Sequence, residues 1–327
     1  MVPDAALVDR FRADLDALIA PLESVGIAVS GGPDSLALLT LAAAARPAGI
    51  EAATVDHGLR DESRSEAELV AQICGQLGVP HAILTARWPA KPETAIQERA
   101  RRERYRLLGF WAEERGLGAI ATAHHADDQA ETFLMRLARG SGVRGLGAMR
   151  KRSMTPGTQV KLLRPLLTWR RADLEQICRD AKLQPVLDPS NGDERFERVR
   201  TRRAIAETDW LDTEAIARSA ANLADADQAI DWAMRLEWDR RVKERRGSIV
   251  YVTGGAPTEI LRRIVSRAVR KLATEGDGEL RGAELSRLVA TLADGGTATL
   301  RGVLCSGGRE WQFVPAAHRT RPVDNLR

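Results

Sequence analysis

Long apolar runs are missing from this chain of 327 residues. No uninterrupted stretch approaches the roughly 18 apolar residues that a membrane-spanning helix needs. Residues 2–20 alternate charged with apolar side chains, whereas a signal peptide requires an unbroken apolar core behind a basic start. We therefore expect a protein with no membrane segment that works in the cytoplasm.

Cysteine and aromatic residues are also scarce. Cys74, Cys178 and Cys305 lie far apart in the chain and form no C-x-x-C pair, which argues against a disulfide framework and against a zinc site. We expect each thiol to be a small buried side chain. Aromatic residues make up 4% of the chain, so a surface on which many nucleobases stack is not expected.

Acidic residues are absent from Thr132 to Ala172, a window that contains ten arginine and lysine residues. A second basic cluster, RFERVRTRR over 195–203, has five arginines within nine residues. The net charge of the whole chain is only +4, so the positive charge is concentrated rather than spread. Stretches of one sign indicate a polyanionic partner, and the shortage of aromatic residues indicates that phosphate contacts dominate its recognition.

Short apolar segments alternate with helical segments through the first half of the chain. The expected strands cover 25–30, 50–57, 80–86 and 118–125, and the expected helices cover 34–45, 63–78, 93–116 and 126–140. Strands that alternate with helices in this way form right-handed βαβ units around a parallel sheet. We therefore predict an α/β domain with a doubly wound parallel sheet over residues 1–210.

The pattern changes after about residue 210, where helical periodicity prevails. An apolar face recurs at helical spacing over 213–244, and two shorter helical segments follow. Residues 296–316 indicate a β-hairpin that turns at Ser306, Gly307 and Gly308. We predict a mainly helical second domain over 211–327 that ends in this hairpin.

The hexapeptide SGGPDS, residues 30–35, stands between the first predicted strand and the first predicted helix. In parallel α/β folds, ligands bind beyond the carboxyl ends of the strands. Gly31 and Gly32 leave the backbone amides bare enough to contact phosphate oxygens, and the helix N-terminus adds positive charge. The Walker A signature is absent. An ordinary turn capped by Asp34 or Ser35 accounts for the same residues equally well.

Two histidines and two adjacent aspartates follow the fourth predicted strand, in the segment HHADDQAET over 124–132. Asp127 or Asp128 suits a Mg²⁺ ion shared with a polyphosphate, because this ion takes carboxylate and phosphate oxygens as ligands. The alternative is a capping box, in which Asp128 starts the helix and Glu131 follows three residues later.

A third strand end is polar in the segment VDHGLRDES over 55–63. Asp56, His57 and Arg60 are expected at the same edge of the sheet as the two segments above. The alternative is a polar strand end with a turn at Gly58. Three strand ends that carry ionisable residues together favour a ligand site.

These segments resemble a known family. SGGPDS resembles the PP-loop of the N-type ATP pyrophosphatases, which cleave ATP between its α- and β-phosphates. Within that superfamily, VDHGLR, ERARRERYRLL, residues 122–149, LLRPLL and DPSN occur in order between about 25 and 203 and resemble the tRNA(Ile)-lysidine synthetases. The segment 122–149 is the most specific of these. The run ERVR at 197–200 departs from the family pattern, which has an Asn there.

The resemblance implies a Rossmann-like PP-loop domain and a ligase that uses ATP and Mg²⁺. Its partners would be tRNA(Ile) with a CAU anticodon and L-lysine. ATP would adenylate the C2 oxygen of the wobble cytidine with release of pyrophosphate, and the lysine ε-amine would then displace AMP. The residues after 210 would bind the tRNA, and the long helix after 213 offers a surface for a homodimer.

The resemblance also assigns roles to individual residues. The phosphate cradle would consist of Ser30, Gly31, Gly32, Pro33, Asp34 and Ser35. His124, Asp127 and Asp128 would handle Mg²⁺ and the adenylate, with the two aspartates as the metal ligands. Arg144 would contact phosphate or RNA, and Asp56 and His57 would contact the nucleotide or lysine. The lysine pocket needs a carboxylate and an arginine, for which Asp128, Glu131 and Asp188 are the acidic candidates.

Three other functions remain open at this point. One is a PP-loop tRNA 2-thiolation enzyme, which normally needs a cysteine pair. The second is an ATP pyrophosphatase that acts on a small metabolite, against which the acid-free basic window argues. The third is a non-catalytic protein that binds nucleotide or RNA.

Overall fold

The computed structural model describes residues 3–58, 62–88, 96–186, 194–273, 280 and 282–316. The chain divides into two compact units, Met1–Ala224 and Asp225–Arg327. The domain boundary that we place near residue 210 stays a prediction. Among the described residues, no helix is long and apolar enough to cross a membrane.

The first unit is built on a six-stranded sheet with the order β3-β2-β1-β4-β6-β5. Its strands are β1 Val25–Ala28, β2 Ile50–Asp56, β3 His81–Thr85, β4 Ala119–Ala121, β5 Arg152–Met154 and β6 Lys161–Leu163. The first five strands in that spatial order pair in parallel, and β5 runs antiparallel at the edge. The predicted parallel sheet is therefore confirmed, with an antiparallel edge strand that the sequence analysis did not include.

The helices of this unit connect the strands. They are α1 Ala5–Asp16, α2 Pro33–Ala45, α3 Ser63–Gln76, α4 Ile96–Glu114, α5 Ala126–Ala138, α6 Val143–Leu146, α7 Arg171–Asp180 and α8 Glu197–Ala206, followed by α9 Thr213–Arg241, which continues into the second unit. The short helix α6 lies in the glycine-rich segment after α5. It holds Arg144 in a helical turn.

The two faces of the sheet are covered by different helices. Val25 and Ile27 of β1 belong to a large core with side chains of α1, α2, α3 and α7. The other face packs on α4, whose Leu108 and Trp111 contact a smaller core. Gly26 is required at this face, because a Cβ atom there would lie 2.7 Å from the Trp111 ring. This two-sided cover leaves the carboxyl ends of the strands as the edge at which a ligand can bind.

The second unit combines helices with a five-stranded sheet of order β7-β8-β11-β10-β9. Its further elements are β7 Val242–Arg245, β8 Ser248–Val252, α10 Thr258–Leu272, α11 Gly282–Ala293, β9 Thr297–Leu300, β10 Val303–Ser306 and β11 Glu310–Pro315. β10 and β11 pair antiparallel around the glycines at 307 and 308, so the expected hairpin lies inside a larger sheet. The helix expected over 213–244 ends at Arg241, where the chain turns into β7.

Candidate active site

The PP-loop segment lies at the turn from β1 into α2. Gly31 has a φ of +86°, a conformation that glycine adopts without strain. A Cβ atom at this position would also lie 3.1 Å from Val186 and 3.3 Å from Val70. The Val186 amide donates to the Gly31 carbonyl over 2.9 Å. Both backbone shape and packing therefore require glycine here.

Among the described residues, no side chain caps the N-terminus of α2. The Ser35 hydroxyl accepts from the Ser30 amide at 3.1 Å and donates to the Gly32 carbonyl at 2.9 Å, so it braces the turn. Pro33 occupies the first helical position, where its missing amide costs nothing. The interpretation as a turn capped by Asp34 or Ser35 is therefore wrong. The first-turn amides of a helix have no acceptor within that helix, and here they are available to an anion.

A cavity of about 540 Å³ opens beside this turn. Its walls come from the PP-loop, the ends of β2 and β4, one face of α4, and the N-termini of α5 and α8. Its polar lining includes Ser30, Asp34, Ser35, His57, Glu66, Arg101, Arg104, Tyr105, His124, Asp128 and Arg198. The predicted strand ends therefore meet around one cavity, as the topology of the sheet requires.

His125 ties the PP-loop to the start of α5. Its ring is buried, with Nε2 3.5 Å from the Asp34 carboxylate and 3.6 Å from Asp128, and with Nδ1 3.5 Å from Asp127. Burial alone would lower the pKa of His125, but these three carboxylates outweigh it and raise the pKa to about 10. His125 is therefore a cation at neutral pH, and sequence analysis assigned it no role.

The two adjacent aspartates have different environments. Asp127 turns to the N-terminus of α7, where its Oδ2 atom accepts from the Arg171 amide at 2.9 Å and its Oδ1 atom lies 3.4 Å from Arg170. Burial opposes ionisation of Asp127, yet His125 and these α7 contacts hold its pKa well below the ordinary value. Asp128, by contrast, lines the cavity.

Asp128 is the third residue of α5, which begins at Ala126 after His125. Its Oδ2 atom accepts from the His125 amide at 3.1 Å, and its Oδ1 atom accepts from Arg198. The capping box with Asp128 at the start of the helix and Glu131 after it is therefore wrong. Glu131 is buried and bonds Arg198 and Arg202 of α8 at 2.6 and 2.7 Å.

One face of α4 lines the cavity opposite the PP-loop. Arg101, Arg104, Tyr105 and Leu108 occupy positions i, i+3, i+4 and i+7, which lie together on a helix. The Tyr105 hydroxyl is buried and has no hydrogen-bond partner among the described residues. We predicted no role for these residues from the sequence, although their helical spacing was a usable signal.

His124 lines the cavity as a neutral imidazole. Burial, followed by the neighbouring guanidiniums of Arg164, Arg101, Arg104 and Arg198, holds its pKa well below the ordinary value. Its Nδ1 atom lies 2.9 Å from the Thr122 hydroxyl, which also reaches the Leu163 carbonyl at 3.4 Å. If the hydroxyl proton bonds the carbonyl, His124 carries its own proton on Nδ1 and leaves Nε2 as an acceptor.

The two candidate site residues at the end of β2, Asp56 and His57, have different surroundings. Asp56 is buried, and its Oδ1 atom accepts from the Gly58 amide at 2.9 Å and from the Ser63 hydroxyl at 2.6 Å, so it joins β2 to the start of α3. His57 lines the cavity, and burial followed by the charge of Arg104 lowers its pKa.

The remaining sequence candidates lie elsewhere. Arg144 is exposed on α6 and is not among the residues that line the cavity. Arg60 and Asp188 lie outside the described residues. The roles assigned to them stay predictions.

The residues at the PP-loop suit a Mg²⁺ ion bound together with phosphates. The Asp34 Oδ1 atom is buried without a hydrogen-bond partner in the described part of the chain, and the Asp128 carboxylate lies in the same cavity wall. Mg²⁺ typically takes one or two carboxylates together with substrate phosphates and water. No group of three or more histidine, cysteine or acidic side chains within the described ranges could hold a metal by itself, so phosphate oxygens would have to complete the coordination.

Comparisons with known proteins place this site in a family context. Residues 7–208 match the family model of the PP-loop domain. The chain is 49% identical over 314 residues to a tRNA(Ile)-lysidine synthase of Novosphingobium aromaticivorans, covering 95% of this chain and 94% of the relative. It is 44% identical to the protein of the same name from Zymomonas mobilis, covering 94% and 93% of the two chains.

A solved structure shares the fold at lower identity. The U34-tRNA thiolase of Methanococcus maripaludis superposes with a TM-score of 0.56 and 17% identity, over 67% of this chain and 80% of that one. Similarity at this level shows a common PP-loop fold and nothing about the substrate.

Proposed function

The chain belongs to the tRNA(Ile)-lysidine synthase family of PP-loop enzymes, and from this premise we propose which of its residues carry out the reaction. It is a ligase that uses ATP to join L-lysine to C2 of the wobble cytidine in the CAU anticodon of tRNA(Ile). The C2 oxygen is first adenylated, with release of pyrophosphate. The lysine ε-amine then bonds to C2, and the oxygen leaves as part of AMP.

The triphosphate of ATP binds at the N-terminus of α2. The uncapped amides there and the Ser30 hydroxyl offer hydrogen bonds to phosphate oxygens, and the helix dipole adds positive charge. The Ser35 hydroxyl holds the turn open by bracing Ser30 and Gly32. The single observation that carries this proposal is an uncapped, glycine-shaped helix start on the wall of a 540 Å³ cavity.

Mg²⁺ would be held by Asp34 and Asp128 with phosphate oxygens, and it would supply positive charge that offsets the charge on the departing pyrophosphate. His125 holds the Asp34 and Asp128 carboxylates in place through contacts of 3.5 and 3.6 Å. Asp127 positions α7 through the Arg171 amide. The metal role predicted for Asp127 stays a prediction.

Two arginines on the wall of the cavity stabilise the negative charge that builds up during adenylation. Arg101 and Arg104 of α4 line the same cavity as the PP-loop. Guanidiniums that are fixed before the reaction stabilise charge in the transition state without reorganising. We assign these two arginines to the phosphates of ATP and of the anticodon nucleotide.

The lysine substrate carries a carboxylate and a cationic amine, so its pocket needs both signs of charge. Arg198 lines the cavity beside Asp128 and bonds it, which makes Arg198 our candidate for the carboxylate of the amino acid. The acidic residue that meets the amine stays a prediction, because Asp128 is assigned to Mg²⁺. The neutral His124 imidazole adds no positive charge next to the amine. Its Nε2 atom can accept the proton that the lysine ε-ammonium must lose before its nitrogen lone pair attacks C2.

The test is pyrophosphate release with the purified protein, ATP, Mg²⁺ and a tRNA(Ile) transcript with a CAU anticodon. We expect release to depend on the tRNA, and we expect lysidine in the product only when L-lysine is added. A transcript with uridine at the wobble position is the matched control and should support neither. Incorporation of sulfur into the tRNA, in a parallel reaction that contains sulfide, would instead support a thiolation enzyme. The homodimer through α9 and the cytoplasmic location stay predictions.

A further inference from the structure

Most cations of the two basic segments that stand out in the sequence are engaged in contacts within the fold. In the acid-free window, Arg136 donates to the carbonyls of Gly145 and Ala148, and Arg164 donates to the Arg150 carbonyl. Arg139, Arg170 and Arg171 pair with Glu197, Asp127 and Glu175. Guanidiniums engaged in this way cannot all turn to an external polyanion without losing those bonds.

The cluster at 195–203 is engaged as well. Arg198 and Arg202 bond Glu131, Arg203 bonds Glu194 and Glu207, and Arg200 donates to the carbonyls of Glu194 and Arg195. This helix is therefore held to α5 by charge, and sequence counting overstates the positive field that it offers to a partner.

A third basic segment behaves differently. Six cations lie within the twelve residues 235–246, at the end of α9, in β7 and directly after it. Apart from Arg241, which faces Glu237, they are Arg235, Arg240, Lys243, Arg245 and Arg246, and all five are exposed. None of these five forms an ion pair or a side-chain hydrogen bond with the part of the chain that the structure describes. We call these residues, together with Trp232 and Leu236, the α9–β7 patch.

The acids in this segment do little to cancel its charge. Glu237 faces Arg241 at 3.4 Å and bonds the Tyr251 hydroxyl, and Glu244 bonds Lys271 and Trp238. Within 232–246, all of which is described, Asp239 alone among the acids has no ion pair.

An aromatic side chain lies on the same face of α9 as Arg235 and Arg240. Trp232 is 63% exposed and Leu236 is 36% exposed, one helical turn apart. Trp232, Arg235, Leu236 and Arg240 fall within one face of the helix, while Met234 and Trp238 of the opposite face are buried in the core of the second unit. The core of this unit therefore packs on the Met234 and Trp238 face of α9, and the face that carries Trp232 is exposed and available to a partner.

We propose that the α9–β7 patch is a docking surface for the backbone of the tRNA substrate, with Trp232 packing on a ribose or an unstacked base. Exposed, unpaired cations suit phosphates, and a single exposed tryptophan beside arginine suits RNA contact through stacking. This inference rests on the proposed function only for the identity of the RNA.

The test compares two variants of the full chain with the same change in charge. Arg240→Gln, Lys243→Gln and Arg246→Gln together alter the patch. Arg270→Gln, Arg287→Gln and Arg309→Gln alter three exposed cations of the same unit outside it. Binding of the tRNA(Ile) transcript is measured over a salt series, together with kcat at saturating tRNA.

The patch variant should bind tRNA at least tenfold more weakly near 0.1 M salt and lose about 2 to 3 units of log–log salt slope. Its kcat at saturating tRNA should remain within twofold of the unaltered protein. The control should stay within twofold in binding. Equal losses in both variants, or no loss in the patch variant, would overturn the proposal.

Trp232→Ala and Trp232→Phe separate stacking from charge and from self-association. We expect Trp232→Ala to weaken tRNA binding at least fivefold and Trp232→Phe to retain most of the affinity. If Trp232→Ala instead turns a dimer into a monomer in sedimentation and leaves tRNA affinity unchanged, the patch binds a second copy and the proposal is wrong. If the unaltered protein makes no lysidine but the patch variant still loses RNA affinity, the proposed function fails and the docking surface stands.

Discussion

The Arg198 Nε atom lies 2.6 Å from Glu131 Oε2, joining α8 to a carboxylate that is 1% exposed on α5. Arg202 bonds the other oxygen of the same carboxylate at 2.7 Å. These two ion pairs join residues that are 67 and 71 positions apart in the chain. If both arginines are removed, the buried Glu131 carboxylate has no partner, and the folded state is strongly destabilised.

The losses in the free energy of unfolding caused by removing Arg198 and Arg202 should therefore be non-additive. We expect Arg198→Ala and Arg202→Ala each to lower the free energy of unfolding by about 1–2 kcal/mol, because one ion pair remains. The double variant should lose about 3–5 kcal/mol, because it leaves Glu131 buried and unpaired. Urea unfolding followed by tryptophan fluorescence measures these differences. Adding Glu131→Gln to the double variant should restore part of the loss, and strictly additive losses would contradict this account.

Gly31→Ala tests the shape of the PP-loop. Gly31 has a positive φ and lies close to Val186 and Val70. We therefore expect the alanine substitution to lower the free energy of unfolding by about 1–3 kcal/mol and to raise the KM for ATP. Gly75→Ala is the matched control, because Gly75 lies inside α3 with nothing within 4 Å of the added Cβ atom. It should leave the KM unchanged and raise stability by up to about 1 kcal/mol. Equal effects of the two substitutions would contradict the role assigned to Gly31.

Asp34→Ala tests the carboxylate next to the phosphate cradle. We expect pyrophosphate release to disappear while tRNA affinity changes less than twofold, since the binding of RNA does not depend on this side chain. Asp34→Asn keeps the size of the side chain and removes its charge, so it should be almost as inactive. Normal turnover in either variant would refute the assignment of Asp34, and gel-shift binding with the same tRNA supplies the control.

The cysteines should be inert in the folded protein. Burial raises the pKa of Cys74 to about 12 and that of Cys178 to about 11, and Cys305 is buried too. At pH 8 we expect iodoacetamide to label these thiols about 100-fold more slowly than free cysteine. Replacing all three with alanine should preserve lysidine formation, whereas loss of activity with intact folding would revive the thiolation alternative.

The same shifts fix the sign of a pH effect on stability. Each thiol has a higher pKa folded than unfolded, so its stabilising contribution is complete below the unfolded value. The contribution falls as the pH rises from about 9 towards 11 and 12. The triple alanine variant should therefore lose less stability across that alkaline range than the unaltered chain, as measured by urea unfolding at fixed pH values.

Short-range patterns in the sequence were sufficient to predict the sheet and the strand ends that form the active site. Alternating apolar and helical segments predicted the parallel sheet, and the SGGPDS turn and the strand ends at His57 and His124 do meet at one cavity. These features depend on neighbouring residues in the chain and on the rule that parallel strands end at one edge, so a single sequence contains them.

Pairing over long distances could not be predicted in this way. From the sequence alone, the arginines at 195–203 would be interpreted as unpaired charges. In the structure α8 packs on α5, and Glu131 bonds two of these arginines. Asp34, which is 91 positions away from His125 in the chain, joins Asp127 and Asp128 around the His125 ring. The separate roles of Asp127 and Asp128 likewise depend on where α7 and α8 lie, because each carboxylate bonds a different helix.

The central claim is that the uncapped amides at the start of α2 bind the triphosphate of ATP. A crystal structure of the protein with a non-hydrolysable ATP analogue and Mg²⁺ tests it most directly. We predict phosphate oxygens within hydrogen-bond distance of the Asp34 and Ser35 amides, and an Asp34 carboxylate oxygen on the metal. A triphosphate bound away from residues 30–35, with this turn unchanged and untouched, would contradict the account.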